Sequence, residues 1–131
     1  MNRILTITLI ALVVLFGISK LRTRRVDSQI GYTRISAAQA KTMMQEKPAI
    51  IVDVRTPAEF ASGHIQGAIN IPNESIGAQM PAQLDDLDAT ILVYCRSGAR
   101  SANAARKLLG MGYNHVYDFG GIISWPDGLV R

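Results

Sequence analysis

Two nearly continuous apolar runs, residues 49–54 (AIIVDV) and 91–94 (ILVY), most constrain what this chain can fold into. Neither alternates apolar with polar, so each reads as a strand covered on both faces, as central strands of parallel sheets are. Helix signals fall between them. Ser36 is a good N-cap for a helix over residues 37–46, which Pro48 terminates. Thr56-Pro57-Ala58-Glu59 joins an N-cap, a proline at N1 and a glutamate at N3, so a short helix begins there and closes at Gly63. An alanine-rich helix is expected from Ser101, stopped by Gly110 and Gly112, with Ala102, Ala105, Leu108 and Leu109 on one face. Residues 32–35 read as an edge strand, 68–71 as a short strand ended by Pro72, and 115–119 as a last strand. Gly120-Gly121 reads as a turn before a short helical piece at 122–125, while 73–87 is polar and helix-leaning, broken by Pro81. Strands alternating with helices imply an α/β domain on a parallel sheet, with ligands bound beyond the carboxyl ends of its strands.

Charge divides the chain. Residues 1–25 hold five of its fourteen Lys and Arg and no acid; the rest sets nine against ten Asp and Glu. The high pI therefore belongs to the tail and gives no reason to expect nucleic acid as a partner. About 100 residues remain, the size of one domain. A single cysteine excludes an internal disulfide or a multi-cysteine metal site, and His64 and His115 show no metal-ligand spacing. No metal or other cofactor is expected.

Residues 4–18 form an uncharged, mostly apolar run, and residues 4–19 are expected to contact a membrane. Counted from Met1 to Leu21, with Arg3 and Lys20 reaching outward, a helix comes close to the ~30 Å hydrocarbon core. A cleavable signal would need a small-x-small site, but Ser19-Lys20-Leu21-Arg22-Thr23-Arg24-Arg25 follows instead. An uncleaved single-pass anchor over residues 1–25 is the expectation, followed by a linker over 26–31 and a domain over 32–131. The positive-inside rule turns that domain to the cytoplasm. The alternatives are export to the periplasm or a soluble chain whose tail is a buried helix.

The cysteine itself, Cys95, sits where the second apolar run enters a basic, glycine-containing loop, Arg96-Ser97-Gly98-Ala99-Arg100. Strand, loop and helix in that order let backbone N–H groups converge on an anion, aided by the helix N-terminus. A thiol placed there is a thiolate more often than free cysteine is, and the thiolate is the nucleophile. The expected arrangement stabilises a negatively charged sulfur and leaves it open to solvent. The competing reading of a lone cysteine is a small buried hydrophobe.

At this point the chain resembles a single-domain rhodanese, of the thiosulfate sulfurtransferase family, over essentially all of residues 32–131. The resemblance is carried by residues 51–60 (IVDVRTPAEF), 63–72 (GHIQGAINIP), 94–101 (YCRSGARS) and 120–125 (GGIISW). It implies a five-stranded parallel sheet flanked by helices, here preceded by one hydrophobic helix. It further implies a sulfane sulfur taken from thiosulfate or a persulfide, carried as a persulfide on Cys95, and passed to a thiophilic acceptor such as a thiol or cyanide. A protein sulfur donor or acceptor also fits.

On this reading Cys95 is the catalytic residue and residues Arg96, Ser97, Gly98, Ala99 and Arg100 bind the substrate. Their amides support the persulfide, Gly98 takes positive φ, and Arg96 and Arg100 hold a sulfonate or sulfite oxygen and lower the thiol pKa. Asp53 and Arg55 are candidates for support from behind the site, with Asp53 free to pair with Arg55 or Arg100. His64 is expected to bond to backbone. Three alternatives remain: a persulfide carrier, a regulatory binding module of the same fold, and a phosphatase or arsenate reductase. Against the last, the related cell-cycle phosphatases place five residues between Cys and Arg. Only four separate Cys95 from Arg100, and no acid lies within the loop to protonate a leaving group.

Overall fold

The structure, a computed structural model, describes residues 32–131; the anchor expected over residues 1–25 and the linker over 26–31 lie outside the described residues. Among the described residues no helix is long and apolar enough to cross a membrane.

Five strands form one parallel sheet in the order β1-β5-β4-β2-β3. They are β1 (Thr33–Arg34), β2 (Ile50–Asp53), β3 (Ile69–Asn70), β4 (Thr90–Cys95) and β5 (His115–Gly121). Helices α1 (Ala37–Glu46), α2 (Pro57–Ser62) and α3 (Ala99–Gly110) connect or flank them. β4 is central, and five of its six residues are buried because both faces are covered. Ile91, Val93 and Cys95 join a cluster with Ala104, Ala105 and Leu108 of α3, whereas Leu92 and Tyr94 join Ala40 of α1, Ile65 and Phe119. The unbroken apolar run that distinguishes β4 in the sequence is the residue pattern that a two-faced strand needs.

Both expected N-caps form. Ser36 and Thr56 each accept from the N3 amide, and Gln39 and Glu59 each reach back to complete the capping box. Three expectations are corrected. Helix α3 begins at Ala99, two residues early, because the loop folds straight into it; its buried face is Ser101, Ala104, Ala105 and Leu108, with Ala102 and Leu109 only half-buried. Residues 73–87 carry one 3₁₀ turn at Asn73–Ser75, and the rest is irregular, as a polar stretch with Pro72 before it and Pro81 within it permits. Gly120-Gly121 is no turn. β5 continues through both, gaining one residue on β4 between the pairs Val93–Asp118 and Cys95–Gly121. Gly120 takes φ +83° at this bulge, a conformation glycine adopts freely.

Beside the carboxyl end of β2, Asp53 is fully buried and Arg55 is 6 % exposed. Arg55 Nη2 donates to Asp53 Oδ2 at 2.7 Å and to the Gly63 carbonyl at 2.7 Å, while the Arg55 amide donates to Asp53 Oδ1 at 2.9 Å. Burial works to lower the Arg55 pKa, but the hydrogen bonds and charge of Asp53 carry it above its ordinary value. The Tyr94 hydroxyl accepts from the Ile65 amide at 3.0 Å, and burial pushes its pKa up. Asp53 thus pairs with Arg55 and not with Arg100, and the pair ties the end of β2 to the turn after α2.

Arg55→Ala would leave a carboxylate buried without its partner, which costs about 3–5 kcal/mol. Urea denaturation should show that loss, whereas Lys41→Ala, which breaks the exposed pair with Asp127, should change stability by less than ~1 kcal/mol. Equal effects from the two variants would contradict the role given to the buried pair.

Candidate active site

At the carboxyl end of β4 the chain turns through residues 96–98 and enters α3 at once. Gly98 is the N-cap residue at φ +111°, and it supplies no side chain to cap the helix. The cysteine sulfur stands in that place. The Gly98 amide donates to Cys95 Sγ at 3.0 Å, and the Ser101 hydroxyl lies 3.6 Å from the same sulfur. Helix N-termini leave amides unpaired and carry partial positive charge, so a sulfur lodged there is favoured as an anion.

The side chain is not open to solvent. Cys95 is 1 % exposed and packs in the cluster that includes Val93, Ala104 and Ala105. Alternation along a two-faced strand turns it inward beneath α3, which the expectation of an open sulfur overlooked. It is nevertheless not an inert apolar filler, because polar groups meet it on the loop side. Burial acts to raise the thiol pKa, but the Ser101 hydroxyl together with the amides of Ser101, Gly98 and Ser97 outweighs it, and the net direction is down.

Backbone closeness holds the loop. A Cβ on Gly121 would overlap the Arg96 carbonyl, and the Ile123 amide donates to that same oxygen at 3.5 Å. The bulge in β5 carries Gly121 to this point. On the other side, Arg34 Nη2 lies 3.4 Å from the Gly98 carbonyl and 3.1 Å from Asp118 Oδ2. Asp118 is fully buried, and its Oδ1 accepts from the Gly120 amide at 2.9 Å. The first and last strands thereby brace the loop that follows the middle one.

Of the expected site residues, Ser97 and Gly98 bring backbone amides to the Cys95 sulfur, while the side chains of Arg96, Ser97 and Ala99 are exposed. The Arg100 guanidinium does not turn onto the sulfur: its two terminal nitrogens donate to Glu59 at 2.7 and 3.0 Å. That pair, with burial opposing it, holds the Glu59 carboxyl down at about 2. Asp53 and Arg55 form their own buried unit. His64 bonds through Nδ1 to the Phe60 carbonyl at 2.9 Å, as expected of it.

Four contributors were not singled out from sequence: Ser101, Glu59, Arg34 and Asp118. Ser101 lies six residues after Cys95, a spacing that brings it under the sulfur only once α3 starts at Ala99. Arg34 and Asp118 carried no local signal, since strand pairing of β1 with β5 joins them. A cleft of about 230 Å³ between Lys41, Ile65, Trp125 and Asp127 includes no loop residue. Among the described residues no group of three or more His, Cys, Asp or Glu is placed to hold a metal ion.

Comparison with known proteins agrees with this architecture. The family model for the rhodanese-like domain matches residues 36–126. A rhodanese from E. coli, solved with anions, is 34 % identical, with a TM-score of 0.59 over 64 % of this chain and 99 % of its own. A rhodanese-like domain protein from Staphylococcus aureus is also 34 % identical, with a TM-score of 0.64 over 75 % of this chain and 96 % of its own. A human single-domain sulfurtransferase is 25 % identical, with a TM-score of 0.63 over 72 % and 96 %.

Ser101→Ala removes the hydroxyl 3.6 Å from the sulfur, which accepts from the thiol and could donate to the thiolate. The rate of Cys95 alkylation by iodoacetamide should then rise at higher pH than in the unaltered chain, because the thiolate has lost a partner. An unmoved pH profile would detach Ser101 from the ionisation of Cys95.

Proposed function

Because the chain belongs to the rhodanese-like domain family, we propose that it is a sulfurtransferase that carries a sulfane sulfur on Cys95. The observation that supports this best is the contact of the Gly98 amide with the sulfur at the unpaired start of α3. A buried cysteine serving only as core would not need amides turned onto it. A nucleophile that is to be anionic does.

Transfer runs in two balanced steps. The Cys95 thiolate attacks the outer sulfur of thiosulfate; an S–S bond forms to Sγ, the donor's own S–S bond breaks, and its electron pair leaves on sulfite. With a persulfide donor the pair leaves on the thiolate of the carrier. The terminal sulfur, now anionic on Cys95, is then attacked by the acceptor, cyanide or a thiol, and Cys95 leaves as thiolate. Throughout, the charge stays within reach of amide donors that are already oriented, so little reorganisation accompanies it. Arg96, exposed at the loop, steers the donor anion. Ser97, Gly98 and Ala99 contribute backbone rather than side chain, which is why small residues suffice there. Burial of the sulfur requires that it be uncovered for attack and limits direct access to the slender terminus of the donor.

The one-residue-shorter loop favours this reading over phosphoryl transfer, since a tighter cradle suits one sulfur atom better than a four-oxygen anion. A persulfide carrier that serves a protein partner uses the same first step, and association of residues 4–19 with a membrane would place it near such a partner.

Intact mass of the full chain after exposure to thiosulfate tests the assignment. The expected result is a product heavier by one sulfur atom, reversed by cyanide with release of thiocyanate, and absent in Cys95→Ser. Thiocyanate formation that survives in Cys95→Ser would overturn it.

A further inference from the structure

Three arginines surround the loop, and two already face carboxylates. Arg100 is held by both oxygens of Glu59, and Arg34 by the buried Asp118. Among the described residues Arg96 has no carboxylate within 4.0 Å. Of these three guanidinium groups Arg96 alone is left without a paired carboxylate, while Glu74 adds a more distant negative charge to Arg100.

Glu59 need not be charged for the sake of its helix. It closes the capping box of α2, and a glutamine would close it as well. The chain itself uses Gln39 for the same task in α1. What the carboxylate adds is the bidentate hold on Arg100, a guanidinium whose charge acts on Cys95.

We propose that Glu59 determines donor specificity: by neutralising Arg100 it disfavours dianionic donors such as thiosulfate relative to persulfides of lower charge. This rests on the sulfurtransferase reading above. With thiosulfate, attack brings a thiolate against a dianion. The new bond forms from Sγ to the outer sulfur as the old S–S bond releases sulfite, and all the negative charge gathers at the loop. With a persulfide reacting as RSSH, the thiolate attacks the outer sulfur, the S–S bond breaks, and the electron pair leaves on RS⁻ while the proton stays with the transferred sulfur. The whole complex then carries a single negative charge. A guanidinium that is not engaged by Glu59 would help the first reaction far more than the second.

The test is the ratio of single-turnover rates of Cys95 persulfide formation, from thiosulfate and from 2-hydroxyethyl persulfide, followed by intact mass in the full chain. Glu59→Gln keeps the helix cap and should raise the thiosulfate-to-persulfide ratio about tenfold. Arg100→Gln leaves the carboxylate unpaired and should lower it. The double variant removes both charges and should return within about twofold of the original ratio, because the pair sums to zero charge in both chains. A ratio that stays put in Glu59→Gln, or a gain that persists in the double variant, would overturn the role of Glu59 while sulfur transfer itself stands. Uptake of sulfur from neither donor in any of these chains would overturn the sulfurtransferase reading and this inference with it.

Discussion

The contact between the Gly98 amide and the Cys95 sulfur is the constraint around which the rest is arranged. It exists because β4 ends at Cys95 and α3 starts four residues later, leaving no room for a side-chain cap. The unpaired amides of a helix start need an acceptor, and a sulfur one strand-end away provides it. So compact a turn requires glycine twice, for different reasons. Gly98 adopts a left-handed φ, and Gly121 lets the Arg96 backbone come closer than any Cβ would permit. The bulge in β5 is what delivers Gly121 to that position.

Around this centre the structure separates holding from reacting. Asp53 with Arg55, and Asp118 with Arg34, are charge pairs with at least one member buried, and each fixes backbone as well as its partner. Buried pairs of this kind seldom add much stability, but losing one partner is expensive, so they lock a geometry once formed. The sheet supplies the remainder of the rigidity, since its middle strand is packed on both faces. Burial of the sulfur follows from the same packing. A thiol in that position would ordinarily lose its tendency to ionise, and only the polar side of its surroundings reverses this.

The fold was legible in the sequence to the extent that local rules decide it. Two-faced strands, the N-cap at Ser36, the N-cap and N3 glutamate at Thr56 and Glu59, and the breaks at Pro48 and Gly63 are short-range features, and the structure shows them. Three features went astray because tertiary packing overrides local preference. Gly120-Gly121 has the composition of a turn, yet pairing with β4 draws it into a strand. Residues 73–87 lean toward helix but lack a regular apolar face with which to bury one. The buried face of α3 is set by an earlier start than its alanines suggest. At the candidate site, the order of cysteine, basic loop and helix was readable, and so was the conformation of Gly98. Partners joined only by folding were not: Glu59 on Arg100, Asp118 on Arg34, and Ser101 beneath the sulfur. Alternation along β4 puts Cys95 on the face of Ile91 and Val93, but its burial depends on α3 closing over that face, which only folding provides.

The chemistry of the site depends on backbone amides holding as an anion a sulfur that is 1 % exposed. Thiolate absorbance near 240 nm, recorded against pH as the difference between the unaltered chain and Cys95→Ser, reads that ionisation without any reagent having to reach the site. A midpoint clearly below the ~8.5 of an unperturbed cysteine is the predicted result. A midpoint at or above that value would contradict it, and would make Cys95 an ordinary core residue under a loop with no charge to stabilise.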